Sequence, residues 1–177
     1  MIRALHVVES LAAGGIETTF LNVLRAWRET APWAAHDVLA WAGGALEDAY
    51  RVAADAVTIT AAPEVQAATV LGNYDVIYFT FERCAHRLLP VAVSRSRAAV
   101  VYGKGYDMGG MFRLNDGFRW QPDESMMWAA DHVTFTTGRL AAGFAVPAGR
   151  ATVLGKAADV RRFADLPPAD ASTPNRI

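Results

Sequence analysis

Gly14-Gly15-Ile16-Glu17 stands between a short apolar run at residues 4–8 and a segment whose apolar residues recur at helical spacing. Glycine lets a backbone approach an anion closely, and the first N–H groups of a helix turn partial positive charge toward whatever lies before them. At the first strand-to-helix turn of a parallel sheet, that combination suits a phosphate, and a diphosphate above all. The same pair also makes a plain tight turn, and the motif alone supports either reading. Glu17, in the first turn of the helix, complements its dipole or caps it, an effect of about 0.3–1 kcal/mol.

Further chemistry-bearing residues collect at the carboxyl ends of other apolar runs. Lys104, in Gly103-Lys104-Gly105, follows the run at 98–102. Its ammonium either reaches a cleft, to balance phosphate charge or bond a sugar hydroxyl, or is an ordinary solvated lysine. Tyr106 and Asp107 come next; Asp107 accepts a hydrogen bond from a ligand hydroxyl or caps its loop. Glu82 and Arg83 follow the run at 75–80, on what is the ligand face of a parallel sheet, with surface solvation as the other reading. Met108, Met111, Phe112 and Trp120 either line an apolar pocket or pin a loop to its domain.

Several familiar chemistries are absent. A dinucleotide fingerprint needs Gly-x-Gly-x-x-Gly and an acidic residue ending the second strand, whereas here the second run ends Ala40-Trp41-Ala42-Gly43. Gly103-Lys104 and Gly155-Lys156 lack the P-loop's spacing. The four histidines, His6, His36, His86 and His132, show no metal-ligand spacing, and the single cysteine, Cys84, has no partner for an internal disulfide. A reducing compartment and no metal are the expectation, and no catalytic dyad or Ser-His-Asp set stands out.

The elements that must position these residues follow one rhythm. Short apolar runs at 4–8, 37–42, 56–60, 75–80, 98–102, 132–136 and 152–154 read as strands. Between them, Ile16, Phe20, Leu21, Val23, Leu24 and Trp27 mark a helix stripe, and residues 84–94, 123–130 and 139–144 read as further helices. Near-continuous apolar strands alternating with helices predict an α/β, doubly wound, mostly parallel, Rossmann-like sheet. Residues 106–122 break the rhythm as a long loop, a form usually functional. Residues 166–177, with three prolines, read as a linker after a domain of residues 1–165.

Seventeen basic residues against eighteen acidic ones, with no Lys/Arg run, argue against nucleic acid as a partner. Arg3, His6 and Glu9 interrupt an N-terminal run too short for a signal sequence, so a cytoplasmic protein is expected. No stretch matches a spanning helix, which leaves only peripheral membrane contact.

Residues 5–17 resemble the opening of family 4 GT-B glycosyltransferases, where a strand leads into a Gly-Gly-x-Glu turn and a long helix. Tyr74-Asp75-Val76-Ile77-Tyr78 and residues 100–107, 130–137 and 153–163 are similar to later segments of that family, in the same order. Lys104 departs by standing where the family commonly has a histidine beside the donor sugar. Gly155-Lys156-Ala157-Ala158-Asp159 departs from the usual Pro-Asn-Gly-Val-Asp.

The resemblance implies the N-terminal, acceptor-side half of a bacterial-type retaining hexosyltransferase. It transfers a sugar from a nucleotide sugar to a hydroxyl of a glycan, lipid or small molecule, with no metal and no tightly bound cofactor. The donor-binding C-terminal domain, with its Glu-x(7)-Glu motif, is not in this sequence, so residues 1–177 alone are expected to be inactive. On the same resemblance Gly14 and Gly15 hold the donor diphosphate and Lys104 is the catalytic candidate. Glu82, Tyr106, Asp107, Met108 and Glu124 are then acceptor-binding candidates. A non-catalytic glycan- or protein-binding module of the same fold is the alternative, and a complete small nucleotide-binding enzyme a further one.

Overall fold

Seven strands, β1 (Ile2–Ser10), β2 (Ala34–Ala42), β3 (Ala56–Ile59), β4 (Val76–Phe79), β5 (Ala99–Lys104), β6 (His132–Phe135) and β7 (Ala151–Val153), form one sheet. Their order is β3-β2-β1-β4-β5-β6-β7, with every neighbouring pair parallel. This computed structural model describes residues 1–80, 82–105, 124–147 and 149–154, without the side chains of Ala68 and Glu124.

The chain order reverses direction at β1, and since crossovers are right-handed the helices divide between the two faces. Helices α1 (Gly15–Thr30) and α2 (Glu47–Ala53) cover one face, where Val8, Phe20, Leu21, Leu24, Val38 and Tyr50 pack together. Helices α3 (Pro63–Val70), α4 (Glu82–Arg95) and α5 (Gly138–Ala141) follow the rightward crossovers; Leu5, Val7, Cys84, Leu88, Val100 and Phe135 form the core on α4's side. Odd and even residues of β1 thus feed different cores, as strand alternation requires.

The predicted doubly wound α/β architecture is therefore the observed one. Two predicted helices differ. Residues 124–129 wind as a 3₁₀ helix, closed by an Ala130 N–H bond to the Met127 carbonyl at 3.2 Å. The tighter winding delivers Asp131 to the start of β6, where its carboxylate accepts from the Val100 N–H at 2.8 Å. The helix expected at 139–144 is the single turn α5, N-capped by the Thr137 hydroxyl, which accepts from the Leu140 N–H at 3.1 Å. Pro63, which reads as a strand stop, opens α3, where its missing N–H costs nothing.

Candidate functional site

Helix α1 begins at the carboxyl end of β1, with Gly14 as its N-cap at φ −100°, ψ 168° and no side chain capping it. The first N–H groups of a helix have no partner within it. Neither glycine of the pair has the positive φ that favours this residue; among the described glycines only Gly149 does. A Cβ on Gly15 would meet nothing within 4 Å, and one on Gly14 would meet the mobile end of Glu17, whose carboxylate folds back over it. The Gly14 N–H closes a tight turn onto the Ala12 carbonyl at 2.9 Å, but the backbone angles of that turn demand glycine at neither position.

One glycine that packing does require is Gly44. A Cβ there would lie 2.5 Å from the backbone of Leu11 and Ala12. This close approach lets the Leu46 N–H bond the Leu11 carbonyl at 2.9 Å, while the Leu11 N–H bonds the Ala42 carbonyl at 3.0 Å. The turn after β2 therefore clamps the turn leading to Gly14. The sequence shows Gly43-Gly44 only as the stop of a strand, because the clamp joins segments distant in the chain, such as Leu11 and Leu46.

Beside Gly15 lies a cavity of about 370 Å³. Its wall is α1, through Ile16, Thr19, Phe20, Val23 and Trp27. Tyr78, Thr80, Gly103, Thr134 and Thr136 form a floor across the ends of β4, β5 and β6. The Tyr78 and Thr134 hydroxyls are 3.2 Å apart, and burial pushes the Tyr78 phenol above its ordinary range.

Lys104 lines this cavity but is neither solvated nor directed into it. Val100, Tyr102 and Lys104 alternate onto the α4 side of β5. There the Lys104 ammonium lies 3.4 Å from the Glu82 carboxylate, with the two side chains 1% and 0% exposed. It also sits 5.5 Å from the centre of the Phe144 ring. The Glu82 Oε1 accepts from the Gly105 N–H at 2.8 Å. Surface solvation, one reading of Glu82 and Arg83, therefore fails for Glu82 and describes Arg83, which is half exposed and pairs with Glu9 at 2.7 Å. Tyr106, Asp107 and Met108 lie outside the described residues, and Glu124 opens the 3₁₀ helix with its side chain likewise outside them.

Sequence reasoning missed one buried pair. His6 on β1 and His36 on β2 meet Nε2 to Nδ1 at 2.9 Å, stacked under Trp27 at ring separations of 5.2 and 5.3 Å. Burial, followed by the neighbouring His36, lowers the His6 pKa to about 3, so both rings are neutral near pH 7 and share one N–H. Thirty residues separate the two histidines, and only strand pairing brings them together.

No protein-family profile and no curated protein sequence matches the chain. Solved structures do. Anabaena Alr3699/HepE in complex with UDP and glucose superposes with a TM-score of 0.63 at 15% identity, over 91% of this chain and 46% of that one. A Thermobaculum terrenum O-GlcNAc transferase mutant gives 0.52 at 16% identity, over 75% and 23%. An alpha-glucosyltransferase in complex with UDP and a 13-mer DNA containing a HMU base gives 0.51 at 13% identity, over 77% and 36%. The chain shares its parallel, Rossmann-like α/β fold with part of each of these glycosyltransferases. The chain spans less than half the length of each of these neighbours. Among its described residues, no helix is long and apolar enough to cross a membrane.

Proposed function

We propose that this chain is the acceptor-side domain of a retaining, family 4-type hexosyltransferase. With a nucleotide-sugar-binding second domain, it moves a sugar from a nucleoside diphosphate to an acceptor hydroxyl. The observation that carries this reading is the start of α1, where two glycines whose backbone angles do not demand them begin a helix beside a cavity, with open space at Gly15 and only the flexible Glu17 side chain over Gly14. Backbone N–H groups at Gly15 and Ile16 would stabilise the departing diphosphate, whose oxygen helps take the acceptor proton. Such preorganised donors need no dedicated carboxylate pair and no metal.

Lys104 enters this mechanism as a positioning residue. Its ion pair with Glu82, together with the Glu82 bond to Gly105, fixes the exit of β5. Tyr106, Asp107 and Met108 follow Gly105 directly in the chain and, with Glu124, are the proposed acceptor contacts. The commitment of Lys104 to Glu82 also favours, as a second reading, a non-catalytic glycan- or protein-binding module.

Titration of ¹⁵N-labelled protein with millimolar pyrophosphate and UDP separates the two. The transferase reading expects the Gly14, Gly15 and Ile16 amides to shift, and Gly15→Val to weaken binding at least tenfold while leaving the melting temperature in place. Unmoved amides in the folded protein would overturn it.

A further inference from the structure

The cavity under α1 differs chemically from the helix N-terminus beside it. Lys104 is the one formally charged residue among its described lining, and that ammonium turns to Glu82 on the other face of β5. The interior is apolar and aromatic. Phe20 and Tyr78 stack with centroids 6.0 Å apart, and Trp27 closes the wall beyond them.

Three of the threonine hydroxyls along the cavity already have their protons placed. Thr19 donates to the Gly15 carbonyl at 2.7 Å, Thr80 to the Val7 carbonyl at 2.9 Å and Thr136 to the Gly105 carbonyl at 3.2 Å. What these three oxygens still offer a ligand is lone pairs, so they accept from O–H or N–H donors, while the Tyr78–Thr134 pair, joined by one hydrogen bond, keeps one proton to donate. At about 370 Å³ the space falls near the lower end of the roughly 300–1,000 Å³ of small-ligand sites, which suits a compact group over a long lipid chain.

We propose that this cavity receives the compact apolar aglycone of an uncharged, hydroxyl-bearing acceptor, leaving the diphosphate to the N-terminus of α1. The assignment rests on the transferase reading above for the word acceptor, and on the cavity alone for the chemistry of its guest. An acceptor so held places its hydroxyl at the Gly15 end, next to the threonine oxygens and the proposed diphosphate.

The experiment is calorimetric titration of the full chain with methyl, phenyl and octyl β-glucosides, the octyl compound kept below its micelle concentration. Phenyl and octyl glucosides are expected to bind at least tenfold more tightly than methyl glucoside, since burying a few apolar carbons suffices for that factor. A phenyl preference identifies a planar aromatic aglycone, and an octyl preference a short alkyl one. Val23→Trp, which fills the cavity from α1, should erase the difference while circular dichroism reports an intact fold. Thr19→Val, which removes a lone-pair donor at the rim, should weaken all three glucosides together.

Equal affinity for the three compounds, no binding by the folded protein, or a preference that survives Val23→Trp would overturn the proposal. A cavity filled by another part of the chain or by a partner helix gives one of those results. The pyrophosphate titration keeps the two readings apart. Aglycone preference without a Gly15 response leaves the cavity standing and removes the transferase, and the converse result removes the cavity alone.

Discussion

At Gly15, the fold and the proposed ligand make opposite demands. A Cβ there meets open space and the backbone is not in the left-handed region, so Gly15→Ala should stabilise the fold by about 0.4–1 kcal/mol through the unfolded chain. Urea denaturation would show this gain, with weaker pyrophosphate binding beside it; a loss of stability would restore the tight-turn explanation. Gly103 is the contrasting case, because a Cβ would lie 2.6 Å from the Phe79 carbonyl oxygen, part of a strand that cannot give way. Gly103→Ala should cost about 1–3 kcal/mol in the same measurement. Lys104 and Glu82 are buried against each other, so Lys104→Met strands a carboxylate and should cost about 3–5 kcal/mol. The double variant Lys104→Met, Glu82→Leu should recover much of that loss in a double-mutant cycle. Purely additive losses would show that the pair is not coupled.

Helix α1 owes its seat on the sheet to an aromatic cluster. His6 touches Phe20 and Trp27 at ring separations of 5.1 and 5.2 Å, and Tyr78 joins from β4 at 6.0 Å. Because the folded protein holds His6 at a pKa of about 3 against 6.5 for a free histidine, the unfolded chain binds a proton that the fold refuses. Stability is therefore intact above pH 6.5 and falls as pH drops from 6.5 toward 3. The linkage amounts to about 1.4 kcal/mol per pH unit, or about 2 kcal/mol by pH 5. His36 is lowered too and adds in the same direction, although Asp55 and Asp37 beside it pull the other way. Melting temperatures at pH 7 and pH 5 should differ accordingly, and His6→Phe should flatten the difference. An unchanged pH slope in that variant would place the acid sensitivity elsewhere.

The described residues form one doubly wound sheet, and the chain spans under half of each of the three glycosyltransferases named above. Its proposed site is accordingly half a site. It would supply N–H donors and an acceptor cavity; Glu9 and Glu17 stand at Glu-x(7)-Glu spacing, but they flank the β1-to-α1 turn, and Glu9 is paired with Arg83 at 2.7 Å. Residues 1–177 incubated with nucleotide sugars and glucosides should give no detectable transfer by chromatography, and turnover by this chain alone would overturn the division of labour.

The sequence by itself was enough for the α/β class and every described strand, because each of them is a local apolar run bounded by breakers. It also placed the Gly14-Gly15 turn at the start of α1, since a strand, a glycine pair and a helical stripe are all short-range patterns. It did not show why that turn holds its shape, because Gly44 reaches it across β2. It could not show that Glu82 turns inward while Arg83 turns out, or that Lys104 meets Glu82, since both depend on which face of β5 packs on α4. Nor could it pair His6 with His36 or form the cavity between α1 and β4–β6. Strand order and register bring those residues together over distances in sequence at which local pattern carries no information.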